Sequence, residues 1–166
     1  MRRFVPNLLA ALSCCLSSSA IADNDLQLLA NVKTAYLFNI VKFVEWQSAP
    51  EDVRVCIESG DPLIDVAQSL HGRSIGERRL EVLTASYDPS CHLYYGDPQL
   101  IADAGQFASV LTISDHPDAL SHGADLQFIV ERGQLRFKVH ERLVDASSNQ
   151  LEFRVSSKLL RLSRGS

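Results

Sequence analysis

The sequence predicts a single α/β domain of three layers, in which a mixed, mostly parallel sheet is flanked by helices and ends in a C-terminal antiparallel hairpin. Short apolar segments with the composition of strands alternate with helical segments along the chain. Helical segments separate most of the early strands, and crossovers of this kind join parallel neighbours. Two later strand segments flank the short turn around Arg132-Gly133-Gln134, which predicts the hairpin.

Local patterns predict the individual elements. Residues 26–46 contain neither Gly nor Pro and predict the first helix. Asp61-Pro62 and Asp97-Pro98 each predict a helix start, with Asp as the N-cap and Pro at the first helical position. We expect these helices to cover 61–70 and 97–107, with a further helix over 141–147. Apolar, β-branched and aromatic runs predict strands at 53–57, 80–83, 91–95, 110–113, 126–130, 135–139 and 151–155, the last of which closes the sheet.

The first predicted helix is apolar on two sides. One stripe consists of Leu29, Val32, Tyr36, Ile40 and Phe43, and the opposite side carries Leu37, Phe38, Val41 and Val44. A helix on the outside of a domain shows one apolar stripe, so this helix is expected to be covered on both sides. Its own domain or a second chain can provide that cover. The apolar segment is shorter than the roughly 20 residues that cross a bilayer.

The N-terminus predicts a cleavable signal peptide over residues 1–22. Two arginines precede a short apolar core, and Ala20-Ile21-Ala22 has the small residues of a cleavage site. The Cys14-Cys15 pair leaves a lipoprotein as an alternative. Cleavage near Ala22 leaves residues 23–166 as one domain, in a chain whose hydrophobic content of 46% is sufficient to build a core. We therefore expect a periplasmic protein.

Two cysteines remain beyond this signal, Cys56 and Cys91. In an oxidising compartment an isolated pair is most simply one disulfide. Such a bridge closes a loop of about 36 residues and stabilises the fold by roughly 3–4 kcal/mol on the chain-entropy model. The alternative is a reactive redox pair, although the spacing is not the Cys-x-x-Cys of redox enzymes.

Charge is unevenly distributed along the chain. Removing Arg2 and Arg3 from the 16 basic residues leaves 14 against 20 acidic residues, a net charge of −6. Residues 80–131 contain eight acidic and no basic residues, whereas residues 151–166 contain four basic residues and one acidic residue. A basic end on an acidic body can face lipid phosphates or an acidic partner, or can be a solvated edge. An acidic exported protein without a nucleic-acid-binding motif is not expected to bind nucleic acid.

The sequence shows no familiar catalytic motif and no metal-ligand spacing among its five histidines. Asp115, His116 and His122 can form a metal or acid–base cluster if their loop folds back, or can cap turns. Ser156-Ser157-Lys158 lacks the Ser-x-x-Lys spacing of acyl-transfer enzymes, and its hydroxyls are expected to cap the segment that follows. We predict no catalytic residue, no cofactor and no bound metal.

Three regions carry a resemblance to a known family. Ala35-Tyr36-Leu37-Phe38-Asn39 with Lys42-Phe43-Val44-Glu45-Trp46 resembles the opening motif of the YfiR/HmsC family of small periplasmic proteins. Residues 151–162, which include Ser156-Ser157-Lys158-Leu159-Leu160, resemble the closing signature of that family. Residues 128–137 resemble its penultimate hairpin. These landmarks span nearly the whole mature chain in the order that the family shows.

The resemblance implies a regulatory function without catalysis. Proteins of this family are negative regulators that bind the periplasmic sensor segment of an inner-membrane diguanylate cyclase, YfiN in the named system, and so lower cyclic-di-GMP and biofilm formation. The resemblance also implies a bridge between Cys56 and Cys91, a possible response to envelope redox state, and a homodimer for which the first helix is a candidate contact. Some relatives carry a second bridge, for which this chain has no cysteines.

Large apolar, aromatic and basic side chains near the two ends of the mature chain are the candidates for partner binding: Tyr36, Phe43, Trp46, Lys158, Leu159 and Arg161. Trp46 can instead plug the base of the sheet. Two other functions stay open, a small-molecule sensor with its ligand at the ends of the parallel strands, and a periplasmic hydrolase. We expect a protein that lies near the inner membrane without spanning it.

Overall fold

A computed structural model describes residues 19–144 and 151–164, without the side chains of 19–23, 163 and 164. The chain begins with helix α1 (Ser19–Lys42) and strand β1 (Val44–Trp46). The further elements are β2 (Asp52–Ile57), α2 (Leu63–Ala67), β3 (Ser74–Ile75), β4 (Arg78–Thr84), β5 (Leu93–Tyr95), α3 (Pro98–Ala104), β6 (Leu111–Ser114), β7 (Leu126–Glu131), β8 (Gln134–Val139), β9 (Phe153–Val155) and α4 (Ser157–Arg164). Short 3-10 helices cover Gln68–Leu70, Leu120–His122 and Glu141–Leu143.

Seven strands form the main sheet in the order β3-β4-β2-β5-β6-β7-β8. The five central strands are parallel, while β3 and β8 pair antiparallel with their neighbours at the two edges. The chain passes from β2 outwards to β4 and then returns to β5 on the other side of β2. The strand order therefore reverses between β2 and β5, and open α/β sheets form ligand crevices at the carboxyl ends of the strands at such a point.

Helices cover both faces of the sheet, as the predicted three-layer class requires. Helices α1 and α2 bury the larger core against one face, where Val55 and Ile57 of β2 point. The intervening Cys56 points to the other face and packs with Tyr94 and with Ile101 of α3. This alternation along β2 follows from the period of two in a strand. The predicted fold class is confirmed.

The C-terminal hairpin of the main sheet is also confirmed. Strands β7 and β8 pair in a register that sets Phe128 opposite Phe137. Their connection is the two-residue turn Arg132-Gly133, in which both residues have positive φ angles of 51° and 75°. Such a turn matches the twist of the two strands, and glycine adopts its second position without strain.

Two predictions at the ends of the chain are wrong. The first helix ends at Lys42 rather than at Trp46, because Val44–Trp46 forms strand β1. The last strand, β9, does not close the main sheet but pairs antiparallel with β1 in a separate two-stranded sheet. Strands β1 and β9 pair because their residue patterns match. Each is an apolar–charged–apolar triplet that buries its first residue and exposes its central charge. Pairing satisfies the backbone of both triplets while their apolar side chains enter the core.

The predicted start of α3 is confirmed, with Asp97 as its N-cap, whereas α2 begins at Leu63 with Pro62 as its N-cap, one residue later than predicted. The Asp97 carboxylate accepts a hydrogen bond from the Gln99 backbone N–H at 2.8 Å, and the Asp61 carboxylate accepts one from Leu63 N–H at 2.8 Å. Helix α3 ends at Ala104, before the predicted boundary, because the next residue, Gly105, has a φ of 77°. Of the helix predicted over 141–147, the structure describes a 3-10 turn at Glu141–Leu143, and 145–147 lie outside the described residues. Most of the predicted signal peptide, residues 1–18, also lies outside them.

Candidate interaction surface

Cys56 and Cys91 form a disulfide, with Cα atoms 5.8 Å apart. Cys56 lies in β2, and Cys91 lies just before β5, the parallel neighbour of β2. Both side chains are buried beside Tyr87 and Tyr94, away from α1 and α2. The predicted bridge is confirmed, and it holds the connection between β4 and β5 against the sheet.

A buried ion pair ties the last part of the domain to the same face. Arg142 donates two hydrogen bonds to the Asp125 carboxylate, with Nε to Oδ1 at 2.5 Å and Nη2 to Oδ2 at 2.7 Å. Asp125 is fully buried and also accepts from the backbone N–H and the hydroxyl of Thr112, at 2.9 and 3.0 Å. Sequence reasoning missed this pair because the two residues are 17 positions apart on different elements.

Strands β1 and β9 and helix α4 close the amino end of the parallel strands. The Trp46 ring lies 5.7 Å from the His92 ring, and the Arg78 guanidinium lies 5.6 Å from the Trp46 ring centroid. Trp46 is 5% exposed and Leu159 is 2% exposed. Two of the predicted partner-binding residues therefore lie inside the core, where they support the surface above them. This is the position expected of a residue that plugs the base of the sheet.

The half-buried Phe43 and the exposed Lys158, Arg161 and Leu162 form a surface above this plug, called the C-terminal patch below. The Lys158 ammonium lies 5.3 Å from the Phe43 ring centroid, within the range of a cation–π contact. Lys158 and Arg161 are exposed and one helical turn apart, and Leu162 is 59% exposed. The patch thus places an aromatic ring and an apolar side chain beside two positive charges.

Ser156 joins the patch to the end of α1. Its backbone N–H donates to the Phe43 carbonyl at 2.8 Å, and its Oγ accepts from the Lys158 N–H at 3.2 Å. The hydroxyl therefore caps the start of α4, as the sequence predicted. Helix α4 is held in two ways: the Ser156 hydroxyl caps its start, and Leu159 is buried in the core.

The structure places Tyr36 apart from the C-terminal patch. Tyr36 lies on α1, seven residues before Phe43, and faces the hairpin. Its hydroxyl donates to the Leu135 carbonyl at 3.0 Å, and its ring meets the Phe128 ring edge-on at 6.0 Å. Of the six predicted residues, the structure brings Phe43, Lys158 and Arg161 together on one surface, buries Trp46 and Leu159 below it, and uses Tyr36 to hold α1 on the sheet.

Sequence reasoning did not single out the exposed apolar residues at the start of α1. Leu26 and Leu28 are 61% and 62% exposed. They are about 200° apart around the helix, so one stripe cannot contain both. Their position in the helix could have indicated this exposure, because both leucines precede Ala30, the first buried residue of α1. None of the described helices has the length and apolar character that a membrane crossing needs.

The histidine cluster considered from the sequence caps turns. The His116 and His122 rings are 6.5 Å apart, so their loop does fold back. However, His116 Nδ1 accepts from the Asp118 N–H at 3.3 Å, and His122 Nδ1 lies 2.9 Å from the Asp118 carbonyl oxygen. Asp115 instead forms an ion pair with Lys33. Within 19–144 and 151–164, no group of three or more His, Cys, Asp or Glu residues is arranged to hold a metal ion.

Comparison with known families agrees with the fold and with the ends of the chain. A family model described as YfiR/HmsC-like matches residues 30–164, which include every strand and end at the last residue of α4. The chain belongs to the YfiR/HmsC-like family. No curated protein matches it significantly. The family is regulatory rather than catalytic, and membership implies a periplasmic regulator of diguanylate cyclase signalling.

The YfiR/HmsC-like match covers both triplets of the small sheet. The opening motif contains β1, and the closing signature contains β9 and the first part of α4. The segments that carried the resemblance in the sequence are therefore in contact in the fold. Together they form the closed amino end of the domain and its C-terminal patch.

Proposed function

We propose that this protein is a periplasmic negative regulator that binds the periplasmic segment of an inner-membrane diguanylate cyclase similar to YfiN and inhibits it. Repression lowers cyclic-di-GMP and so lowers biofilm formation. The family match over residues 30–164 is the observation that carries the proposal. The export signal over residues 1–22, with cleavage near Ala22, supports the same compartment.

The C-terminal patch is the proposed contact with the cyclase. It combines the Phe43 ring with the cations Lys158 and Arg161, and an acidic segment with apolar side chains complements that combination. The patch is also pre-organised, because Leu159 is buried and anchors α4 before any partner arrives. A pre-organised surface loses little side-chain and backbone entropy on binding, which favours affinity.

Inhibition requires a difference in affinity between two states of the cyclase. The regulator shifts the cyclase towards its inactive conformation only if it binds that conformation more tightly. Each tenfold preference corresponds to about 1.4 kcal/mol of coupling free energy.

The disulfide gives this regulator a proposed response to the redox state of the envelope. Cys56 and Cys91 join β2 to the segment that enters β5, so reduction releases the β4–β5 connection from the sheet. Reduction then lowers the population of domains that are folded and able to bind. Loss of binding raises the activity of the cyclase.

A homodimer is proposed to form along the start of α1. Leu26 and Leu28 are exposed there on opposite sides of the helix, and a second copy that buries either leucine removes apolar surface from water. Analytical ultracentrifugation of the mature protein tests this contact. The Leu26→Ser/Leu28→Ser variant is expected to sediment as a monomer at concentrations where the wild type is a dimer.

Charge reversal on the patch tests the cyclase contact directly. The Lys158→Glu/Arg161→Glu variant is expected to bind the purified periplasmic segment of the cyclase at least about tenfold more weakly, because two attractive charges become repulsive. The control is Arg73→Glu/Arg132→Glu, which changes the net charge equally at exposed positions outside the patch. Equal loss in both variants would show a general charge effect and contradict a specific patch.

Deletion of the gene tests the regulatory function in cells. The deletion is expected to raise cyclic-di-GMP, and expression of the wild type is expected to restore the lower level. The Cys56→Ser strain is expected to lie between them if the bridge supports the binding-competent fold. Unchanged cyclic-di-GMP in the deletion strain would exclude repression.

One observation favours a second function, the binding of a small molecule. A groove of about 430 Å³ lies between α1 and the β7–β8 hairpin, beside Lys33 and Asp115. Asp115 directly follows β6, so the groove lies next to the carboxyl ends of the parallel strands. That is the position at which sheets of this type bind ligands.

A further inference from the structure

The groove between α1 and the β7–β8 hairpin runs along the edge of a strand. Its lining includes four consecutive residues of β7, Gln127, Phe128, Ile129 and Val130. Successive side chains of a strand point to opposite faces of the sheet, so a groove on one face would meet every second residue. A groove that meets all four residues lies beside the backbone of β7.

Strand β7 continues past the end of its neighbour β6. Strand β6 ends at Ser114, which pairs with Gln127, whereas β7 continues to Glu131. On its other side, β7 pairs with β8 as far as the turn. Residues 128–131 therefore have one edge that is paired with β8, and a second edge towards the groove that β6 leaves without a neighbouring strand.

The register shows which backbone groups face the groove. Glu131 and Gln134 flank the two-residue turn as a hydrogen-bonded pair, and such pairs alternate with non-bonded pairs along an antiparallel ladder. Val130 and Leu135 form the next pair, so the N–H and C=O groups of each residue point away from the other strand. The Leu135 carbonyl agrees with this assignment, because it accepts a hydrogen bond from the Tyr36 hydroxyl at 3.0 Å.

Val130 thus presents an N–H donor and a C=O acceptor to the groove. Among residues 19–144 and 151–164, no strand or loop provides a hydrogen-bond partner for either group. The Val130 side chain is 59% exposed. An unpaired strand edge is a template for a further strand, because main-chain hydrogen bonds give the affinity of such an addition.

The charged residues of the groove lie at the end where β6 stops. Asp115 directly follows β6 and is paired with Lys33 of α1. Lys138 lies opposite Gln127 and is exposed, and it forms no ion pair with any residue that the structure describes. Two cations therefore line the groove against one carboxylate, and this excess of positive charge favours an anionic group.

We infer that this groove binds an extended peptide that ends in a free carboxylate and that adds to β7 as a short antiparallel strand. Strand β7 runs from the charged end of the groove to its apolar end, so an antiparallel peptide places its C-terminal carboxylate beside Lys138. The peptide backbone bonds to the N–H and C=O of Val130, and its apolar side chains meet Leu29 and Leu135. This inference rests on the groove proposed above as a ligand site and names its ligand class, and it does not depend on cyclase repression.

The probe is the peptide acetyl-Thr-Val-Thr-Val with a free C-terminal carboxylate, whose residues favour an extended strand. It is titrated into the purified mature protein by isothermal titration calorimetry. We expect a Kd of about 1 mM or below, and binding at least about threefold weaker for the same peptide with a C-terminal amide, which lacks the charge that meets Lys138. Absence of peptide binding would overturn the proposal.

Hexanoate is the control ligand, since it keeps a carboxylate and an apolar body but has no amide groups. It is expected to bind at least about fivefold more weakly than the peptide, because it cannot bond to the backbone of Val130. Hexanoate binding as tight as that of the peptide would overturn the peptide proposal, while leaving a small-molecule site as the function of the groove.

Two N-methylated forms of the peptide test the strand pairing directly. In an added strand, successive N–H groups point alternately towards β7 and away from it. Methylation of the second or of the third residue removes one N–H each, and only one of these two groups faces β7. One form is expected to bind about fivefold or more weakly, and the other within about twofold of the parent peptide. Equal binding of the two forms would contradict strand pairing.

Substitutions in the groove locate the peptide. Val130→Pro removes the N–H that faces the groove and is expected to weaken binding at least about fivefold, whereas Val130→Thr keeps this N–H and should bind as the wild type does. Lys138→Gln is expected to weaken binding of the carboxylate form about threefold and to leave binding of the amide form unchanged. Arg73→Gln, at an exposed position outside the groove, should leave both unchanged.

The Lys138→Gln comparison keeps the test decisive if Val130→Pro disturbs the fold. It compares two ligands on one variant, so a general loss of folded protein would weaken both ligands equally. Equal losses for the two forms of the peptide, or the same change with Arg73→Gln, would overturn the proposal. Circular dichroism melts identify any variant that fails to fold.

Discussion

The two ends of the parallel strands differ in both packing and charge. At the amino end, the small β1–β9 sheet and α4 close the domain over Trp46 and Leu159, and the outer surface carries Lys158 and Arg161. At the carboxyl end, the strands lead into acidic residues, and a groove remains open beside Lys33. The closed end presents a firm basic surface suited to a macromolecule, and the open end presents a concave groove whose charged lining residues are Lys33, Asp115 and Lys138.

Helix α1 takes part in both ends. It contributes Lys33 to the groove at the open end and leads directly into Phe43 of the C-terminal patch, ten residues and about 15 Å further along. The intervening residues Leu37, Ile40 and Val41 are buried against the sheet. This arrangement explains the apolar character of the helix, because it must pack along the full length of the core and still reach two surfaces.

Removing the Cys56–Cys91 disulfide is expected to have the largest effect on the stability of the domain. The Cys56→Ser/Cys91→Ser variant is expected to lower the free energy of unfolding by roughly 3–4 kcal/mol, because the bridge closes a long loop of the unfolded chain. Urea denaturation of the variant and of the reduced wild type measures this. Identical unfolding curves for reduced and oxidised wild type would contradict a stabilising bridge.

Disturbing the closed amino end is expected to have the next largest effect. Leu159→Ala should lower the free energy of unfolding by about 3 kcal/mol, because it leaves a cavity under α4. Leu162→Ala, three residues along the same helix and 59% exposed, is the matched control and should change stability by less than about 0.5 kcal/mol. Similar losses in the two variants would mean that Leu159 does not anchor the helix.

Lowering the pH is expected to reduce the stability of the domain through His92, which lies at the amino end of the strands. Burial, with Arg54 and Arg78, lowers the pKa of His92 in the folded protein, and its Nδ1 accepts from the Arg54 backbone N–H at 3.0 Å. Below the ordinary pKa of about 6.5 the unfolded chain binds a proton that the native state does not, so stability falls as pH decreases.

Urea denaturation at two pH values measures this contribution. Between about pH 7.5 and pH 5.5 the wild type is expected to lose up to about 1 kcal/mol, and His92→Gln is expected to lose less. His122→Gln, in the turn before Gly123, is the control and should keep the dependence of the wild type. An unchanged pH dependence in His92→Gln would rule out this histidine as its source.

The smallest expected effect on stability comes from Asp61, at the carboxyl end of the strands. Its pH dependence has the opposite sign to that of His92. The pKa of Asp61 is raised in the native state, mainly by burial, so its contribution to stability is present in acid and is lost as pH rises through the native pKa. Asp61→Asn removes the penalised charge and keeps an oxygen for the Leu63 N–H. At about pH 7 we expect unchanged or slightly higher stability, by up to about 0.5 kcal/mol. A clear loss of stability would show that the carboxyl end of the sheet needs the Asp61 charge in order to fold.

Most of the main sheet could be predicted because its signals are local. The Asp-Pro pairs predicted the starts of α2 and α3, and the turn at Arg132-Gly133 predicted the β7–β8 hairpin. The cysteine pair was also sufficient, since Cys56 and Cys91 are the two cysteines that follow the predicted signal peptide. The helix predicted up to Trp46 failed where a distant strand provided better partners for the backbone of β1 than another helical turn did.

The candidate surface could be predicted only in part. Basic residues of the closing signature are exposed as expected, because charges remain in water unless they are paired. Trp46 and Leu159 are equally conspicuous in the sequence, but their burial depends on β1, β9 and α4 packing together. A crevice at the ends of the parallel strands was considered from the sequence, but the residues of the groove were not predicted, because they come from α1, the segment after β6 and the β7–β8 hairpin, which approach only when the strands align.

The sequence by itself determined the alternation of helices and strands, the disulfide and the family, since each depends on patterns within a few residues or on residue types alone. Only the tertiary structure decided which apolar residues are buried and where the charged residues cluster. The physical reason is distance along the chain. Val44 pairs with Val155, and Lys33 with Asp115, so both the closed end and the open one arise from contacts that no local pattern encodes.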